Sequence, residues 1–287
     1  MRRALIIVLV LLCSVAHSFG QRHAVEEYEF GSYLIGSGLM RDALTLTHSF
    51  DDNYTPAALD TLRYLKGWTL YHNQRFSQAA TTLGTVGTTS PFWPKSALFG
   101  SLCLLESGDI AGAKQRLSEF AATPAAEPYR EIVAFQREGI ALLEGNIEEY
   151  HRWRQEINTE SFAFGDEQLM LDRVAANRPG NKKPWVAGVA SAVVPGLGQI
   201  YAGNVGEGVA SFLAVGAFAA LTATSWHKAE TPLNWRTITY GTVGSLLYIG
   251  NIFGSVASVR VYHQRIETAN EEAVMYSIHI PLRNIFE

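Results

Sequence analysis

An apolar block in the C-terminal half limits the folds open to this chain more than any other feature. Glu207 is the only formally charged residue between positions 184 and 227, and positions 237–259 contain none. A helix needs about 20 predominantly apolar residues to cross the hydrocarbon core of a bilayer. The runs 208–226 and 237–258 both reach that length. The sequence therefore predicts at least two membrane-spanning helices.

The apolar run 185–202 precedes these two and is ambiguous. Pro195 and neighbouring glycines interrupt it, and Gln199 places a polar side chain inside it. The run fits a third span, a re-entrant hairpin or an interfacial helix, so residues 185–260 are predicted to form a two- to three-helix transmembrane domain. Tryptophan and tyrosine lie near the ends of the apolar runs, as in the aromatic belts of membrane proteins.

Residues 1–20 have the three parts of a secretion signal. A basic start, an apolar run and then small residues predict a cleavable signal peptide. A lipoprotein acylated on Cys13 and an uncleaved anchor are the alternatives. Export would place the following residues outside the cytoplasm, which in a bacterial cell envelope is the periplasmic side of the inner membrane. Arg178, Lys182 and Lys183 would then flank the first span on the outer side, against the usual cytoplasmic enrichment of basic residues.

Composition and motifs exclude several classes of function. The net charge is −4, and without a concentrated basic face nucleic acid is not an expected partner. The histidines are dispersed, with none paired at metal-ligand spacing, and no catalytic motif occurs. We therefore predict no enzymatic activity, no cofactor and no metal site. Cys103, in a helical stretch, is interpreted as a small core residue.

A pattern recurs about every 35 residues between positions 21 and 178. A position that favours close helix packing is followed, at fixed offsets, by a turn residue, an apolar residue and a second small residue. The first positions are Gly31, Gly67, Ser101 and Glu138, the turn residues are Gly38, Gln74, Gly108 and Gly145, and the second small positions hold Ala43, Ala79, Ala113 and Tyr150. This spacing predicts antiparallel helix pairs, the fourth of them a degenerate copy that caps the stack.

The second copy of the pattern resembles the tetratricopeptide repeat family. The matching residues are Gly67, Leu70, Phe76, Ala79, Leu83 and Pro91. The resemblance implies an all-α solenoid of helical hairpins whose concave surface binds a protein or peptide partner; a generic helical array is the alternative. The aromatic residues expected to line that surface are Tyr64, Trp68, Tyr71, Trp93 and Phe99. Aromatic residues at helical spacing are equally typical of a buried core.

A glycine-rich turn lies inside the apolar block. Its residues are Pro195, Gly196, Gly198, Gln199, Tyr201 and Gly203. A phosphate-binding loop is excluded, because no Gly-Lys-Ser/Thr follows and the flanks are apolar. The stretch resembles a bacterial family of small membrane domains of unknown function, marked by a Pro-Gly-x-Gly-x-x-Tyr turn between helices. The resemblance implies a membrane anchor and assembly module without known chemistry.

Small residues also recur on the last apolar helix. Gly250, Gly254 and Ser258 lie four residues apart, which predicts a face where helices pack closely in lipid. The pattern fits packing within one chain or between chains, so a homo-oligomer is left open. Glu207 is interpreted as part of a solvated turn, with a role in ion movement as the alternative.

The remaining segments complete an all-α prediction. Residues 179–184 are a linker, and residues 261–287 form a tail in which positions 275–282 alternate as in a short strand. That strand would pair with another chain or cover the repeats. We predict a non-catalytic scaffold that is anchored in the lipid bilayer and binds a protein or peptide partner. The alternative is a small transport or channel component with the glycine-rich block as its pore and the repeats as a docking arm.

Overall fold

The computed structural model of the chain describes residues 24–48, 50, 54–158, 162–177, 180–228 and 234–286. These residues are mostly helical and include no strand, so the all-α prediction is confirmed. The predicted signal peptide lies outside the described residues, as does part of the predicted linker. The chain divides into two compact units: residues up to Arg173 together with those from Ala273 onward, and Val174–Glu272.

The first nine helices alternate with short turns. Their bounds are α1 (24–36), α2 (Met40–His48), α3 (Pro56–His72), α4 (Phe76–Leu83), α5 (Trp93–Glu106), α6 (Ile110–Ala121), α7 (Arg130–Leu143), α8 (Ile147–Arg154) and α9 (Gly165–Ala176), with a 3-10 turn at Pro124–Tyr129. Four further helices follow: α10 (Pro184–Val193), α11 (Leu197–Ala202), α12 (Val205–Lys228) and α13 (Trp235–Phe286).

One turn geometry joins the helices of each of the first four pairs. The four predicted turn residues have positive φ angles: Gly38 at 75°, Gln74 at 59°, Gly108 at 82° and Gly145 at 69°. The next amide donates back across the turn each time, for example from Asp109 to the carbonyl of Leu104 at 2.8 Å. This bond satisfies a carbonyl that the helix end would leave unpaired. The repeated pattern in the sequence therefore corresponds to a repeated backbone conformation.

Glycine and alanine residues allow neighbouring helices of the first unit to pack closely. A Cβ on Gly67 would lie 2.6 Å from Cδ2 of Leu83, and one on Gly31 would lie 2.6 Å from Cδ2 of Leu65. Ala79 and its counterparts in α2 and α6 are fully buried. From α2 to α8, each helix packs against the next along the chain. The core is therefore built from local contacts between consecutive helices.

The C-terminal tail is helical, and the predicted strand is wrong. Helix α13 continues through the tail to Phe286, so position 261 is not a structural boundary. Val274, Ile278 and Leu282 are fully buried at four-residue spacing, while Tyr276 is exposed. A strand would have put Tyr276 and Ile278 on the same face, whereas a helix separates them. From Ala273 onward the tail belongs to the first unit, and this part covers the repeats, as one of the sequence alternatives expected.

In the second unit, the apolar run 185–202 breaks where the sequence predicted. Helix α10 ends at Val193 and α11 begins at Leu197, on either side of Pro195. Helix α12 and the apolar part of α13 are each long and apolar enough to cross a membrane. Large apolar side chains such as Leu213 and Phe253 are exposed along them. An exposed apolar surface of this kind is typical of contact with lipid or with another protein.

Candidate partner-binding surface and membrane turn

Four of the five predicted binding residues form one cluster. Tyr64, Trp68 and Tyr71 lie on one face of α3, and Phe99 of α5 faces them. The ring centroid of Phe99 is 4.7 Å from that of Trp68 and 5.1 Å from that of Tyr71. All four side chains are buried. We call these four residues the aromatic cluster.

Trp93 lies apart from the aromatic cluster. It is buried against Phe120, with 6.2 Å between the ring centroids. Six positions separate Trp93 from Phe99 on α5, which turns the two side chains to different faces of the helix. The structure therefore places Trp93 in the core between α5 and α6.

Lys95 is a member of this surface that sequence reasoning missed. Its ammonium lies 3.8 Å from the ring centroid of Trp68 and 5.5 Å from that of Tyr64. A cation over an aromatic face contributes on the order of 1 kcal/mol when partly desolvated. Lys95 precedes Phe99 by four positions, a spacing that places both on one helix face. That spacing is the signal that could have identified it.

The end of α13 lies on the aromatic cluster. His279 is hydrogen-bonded through its Nε2 to the hydroxyl of Tyr71. The ring of Phe286 lies 6.2 Å from that of Phe99 and stacks on Tyr129 at 5.4 Å. The sequence prediction missed these contacts, because the tail was interpreted as a strand. The end of α13 thus covers part of the aromatic cluster.

Helix α7 provides a second contact for the same segment. A Cβ on Gly139 would lie 2.3 Å from Cδ1 of Ile278 and 3.3 Å from Cγ1 of Val274. Any larger residue at position 139 would collide with the docked helix. The described residues of the repeats therefore form a surface shaped for the helix that lies on it.

A buried polar cluster closes the fourth helix pair. Glu138 accepts a hydrogen bond from Gln168 at 2.9 Å, and burial raises the pKa of Glu138 to about 8. Although burial opposes it, hydrogen bonds from Tyr150 and Arg154 hold the pKa of the Asp172 carboxyl below its usual value. Two carboxyls with separated pKa values are also found in acid–base catalysts. Here the two carboxyls and their hydrogen-bond partners join α7, α8 and α9, so we interpret the cluster as a structural one.

Cys103 is fully buried, as interpreted from the sequence. Burial, reinforced by the charge of Glu106, raises the pKa of its thiol to about 12. A thiol in that state is not a nucleophile at neutral pH.

The glycine-rich turn brings backbone against backbone in the second unit. A Cβ on Gly196 would lie 1.9 Å from the carbonyl oxygen of Gly208, and one on Gly198 would lie 2.0 Å from that of Ala187. The amide of Gly198 also donates to Oγ of Ser191 at 2.9 Å. The short helix α11 is thereby held between α10 and α12.

The polar residues of the turn bind neighbouring groups. Gln199 accepts a hydrogen bond from the hydroxyl of Ser211 at 2.8 Å, and the hydroxyl of Tyr201 accepts one from the amide of Lys183 at 3.1 Å. Gly203 ends α11 with a φ of 104°. Polar groups in an apolar block need such internal partners. Each residue that carries the family resemblance thus has a structural role.

The face of α13 that packs within the second unit is one position away from the predicted one. Asn251, Ser255 and Val259 are buried, and the hydroxyls of Ser255 and Ser191 are 2.6 Å apart.

The predicted packing residues themselves are Gly250, Gly254 and Ser258. Gly254 lies near Gln199, and the hydroxyl of Ser258 donates to the carbonyl of Gly254 at 2.9 Å. A Cβ on Gly250 would meet no atom within 4 Å. Packing through Gly250 between chains stays a prediction.

Glu207 lies in the first turn of α12 and accepts a hydrogen bond from Nδ2 of Asn204 at 3.2 Å. A carboxylate there is stabilised by the free amides of the helix N-terminus. This position favours the solvated turn that the sequence interpretation assigned to it.

No protein-family model, no curated protein and no solved structure matches this chain. Both family resemblances therefore rest on the residues and geometry described above. Within the described ranges, no three His, Cys, Asp or Glu side chains come together as a metal site.

Proposed function

We propose that the chain is a membrane-anchored helical-repeat scaffold of the bacterial cell envelope, which binds a protein or peptide partner without catalysing a reaction. The observation that carries this proposal is the aromatic cluster, a surface on the repeats that holds an amphipathic helix. The identical turns of four consecutive helix pairs support a tetratricopeptide-like solenoid. Such arrays act mainly by binding segments of other proteins.

The anchor is the second unit. Exposed apolar side chains cover α12 and the first half of α13, and Trp185, Trp226 and Trp235 are exposed near the ends of the apolar stretches. Lys182 lies beside this unit's first helix, with its ammonium 4.0 Å from the ring centroid of Tyr262. Aromatic and basic residues at such positions favour contact with lipid headgroups.

Two membrane spans fit the structure better than three. Residues up to Arg173, which precede the apolar block, and those from Ala273 onward, which follow it, belong to one compact unit. They therefore lie on one side of the membrane, which requires an even number of crossings. Helices α12 and α13 provide two, so α10 and α11 form an interfacial hairpin in this proposal. The predicted signal peptide places the repeats on the periplasmic side.

Cysteine accessibility in intact cells tests this topology. Reporter cysteines replace Ser37, Tyr276 and Lys228 one at a time in a Cys103→Ala background. Ser37 and Tyr276 are exposed and lie in the N-terminal and C-terminal segments of the first unit, whereas Ser277 is buried and would be a poor reporter. We expect Ser37→Cys and Tyr276→Cys to be labelled from the periplasm and Lys228→Cys only after lysis. Labelling of Ser37→Cys and Tyr276→Cys from opposite sides would require an odd number of spans.

Copurification after mild crosslinking tests the scaffold function. Lys95→Met keeps the aliphatic stem but removes the charge over Trp68, and Lys114→Met is the matched control because Lys114 pairs with Glu144 and Glu149 instead. The comparison is made in an Ile278→Arg background, which frees the cluster from the end of α13. There we expect a defined partner whose recovery falls at least fivefold with Lys95→Met and is unchanged with Lys114→Met. Equal recovery with both variants would mean that the aromatic cluster is not the binding surface. Ion flux from reconstituted protein without a partner would favour transport instead.

A further inference from the structure

We infer that residues 273–286 are a built-in competitor for the partner surface, and that the partner is an amphipathic helix that displaces them. This inference rests on the proposed scaffold function and names the partner class and its regulation. The segment is called the latch below. It is defined by the part of α13 that belongs to the first unit.

The latch binds through one regularly spaced face. Val274, Ile278 and Leu282 are fully buried, and Phe286, four residues further on, contacts Phe99. Four-residue spacing keeps these side chains on one stripe of a helix. An amphipathic helix in a groove is recognised through anchors spaced in this way.

Polar contacts fix the direction of the bound helix. Lys95 donates to the carbonyl oxygen of Phe286 at 3.1 Å, and Tyr71 is bonded to His279 one turn before Leu282. The last carbonyls of any helix lack partners within the helix and attract cations. Lys95 can therefore bind the C-terminal end of a partner helix as it binds that of the latch.

Gly139 selects the size of the middle anchor. The absent Cβ leaves room for Cδ1 of Ile278, so a branched aliphatic residue fits there and a smaller one would leave a cavity. The expected partner is a helix with aliphatic residues at three positions four apart and an aromatic residue four positions later. It would approach with its C-terminal end toward Lys95.

Several features make the latch replaceable. Pro281 lies inside it and lacks the amide that would bond the carbonyl of Ser277, which weakens the helix at that turn. Tyr276, on the outer side of the latch, is exposed. Because the latch is tethered, its effective concentration is on the order of millimolar. A free helix with equal contacts would therefore bind the intact protein much more weakly than a protein whose latch is released.

A fluorescent peptide copying residues 268–286 provides the probe. Its binding is measured by anisotropy to the full-length protein in nanodiscs, with empty nanodiscs as the lipid control. Ile278→Arg places a charge against Gly139 and releases the latch, while Tyr276→Arg changes the exposed face only. We expect at least tenfold tighter binding to Ile278→Arg than to the unmodified protein. Tyr276→Arg should bind within twofold of the unmodified protein. Equal binding to all three proteins would overturn the latch.

A disulfide between Gly139→Cys and Ile278→Cys, in a Cys103→Ala background, tests the same point if Ile278→Arg does not fold. Side chains at these two positions are close enough to join. The oxidised protein should bind no peptide, and reduction should restore binding. Equal binding to the oxidised and reduced forms would place the peptide elsewhere and overturn the inference.

The two proposals fail in different ways. Peptide exchange on the purified protein, with no cellular partner that depends on Lys95, would support the latch and reject the scaffold. A partner recovered equally by the oxidised and the reduced protein would support the scaffold and reject the latch.

Discussion

Glycine has different roles in the two units. In the repeats, Gly38, Gly108 and Gly145 adopt positive φ angles, and a Cβ at any of them would meet no atom within 4 Å. In the second unit, a Cβ on Gly196 or Gly198 would lie about 2 Å from a backbone carbonyl oxygen. The turn glycines of the repeats are needed for their backbone torsion alone. Gly198 is needed for close contact with backbone, and Gly196, with a φ of 86°, is needed for both.

This difference shows how each unit is held together. The repeats pack through side chains, which adjust, so Gln74 can occupy a turn position and Glu138 a small-residue position. The second unit packs backbone against backbone around α11, where nothing can move aside. In the proposed bilayer, apolar burial between helices contributes little, so close packing would have to replace it. Substitutions should therefore be tolerated much better in the repeats.

The largest effect is expected for Gly198→Ala. Its Cβ would meet the carbonyl oxygen of Ala187 at 2.0 Å, and overpacking against rigid backbone costs about 3 kcal/mol or more. We expect a strong loss of folded protein by size exclusion and thermal unfolding in detergent. Gly216→Ala, on α12 and with nothing within 4 Å, is the control and should behave normally. Equal behaviour of the two variants would remove the contrast between the units.

A smaller effect, visible as pH dependence, is expected for Glu138→Gln. Burial raises the pKa of Glu138 to about 8 from 4.5. Between these values the unfolded chain loses the proton and the folded chain keeps it, so the free energy of unfolding falls as pH rises and levels off above about 8. The variant removes this loss, so α7 of Glu138→Gln should become better protected than α7 of the unmodified protein as the pH rises from 5 to 8.

Hydrogen exchange of α7 amides at pH 5 and pH 8, corrected for intrinsic rates, measures this change. Glu148→Gln is the control, because Glu148 is exposed on α8. A pH dependence that survives in Glu138→Gln would show that the buried carboxyl is not its source.

The smallest effects concern the turns of the repeats. Gly108→Ala forces a side chain into the left-handed region and should destabilise α5 and α6 by about 1 kcal/mol. Gln74→Gly relieves the same strain in its own turn, but the greater freedom of glycine in the unfolded chain offsets part of the gain, leaving about 0.5 kcal/mol. Opening free energies from hydrogen exchange should show opposite signs for the two variants. Changes of the same sign would mean that the four turns are not equivalent.

Local backbone features could be predicted from the sequence, and docking could not. The turn residues and the break at Pro195 were identified because glycine and proline restrict the chain locally. The strand prediction for the tail is wrong because the apolar residues among positions 275–282 fit both the two-residue period of a strand and the nearly four-residue period of a helix. The buried Val274, upstream of that window, extends the helical spacing that decides between them.

The candidate site was predicted only in part for the same reason. The spacing of Tyr64, Trp68 and Tyr71 on α3 predicts a common face, but nothing local indicates that a segment some 200 residues later lies on it. Trp93 was included by residue type, although its helical position turns it toward Phe120. The residues of α13 that are buried within the second unit follow the predicted small residues by one position, because small residues alone do not identify their neighbours.

The tryptophans differ in burial between the two units and can serve as intrinsic fluorescent probes. Trp68 and Trp93 are buried within the first unit, while Trp185, Trp226 and Trp235 are exposed on the second. In the proposed bilayer, brominated acyl chains would quench the exposed indoles and leave the buried pair bright. A water-soluble quencher would report on Trp68 only when the surface around it opens. Each unit can therefore be followed separately by fluorescence without attaching a dye.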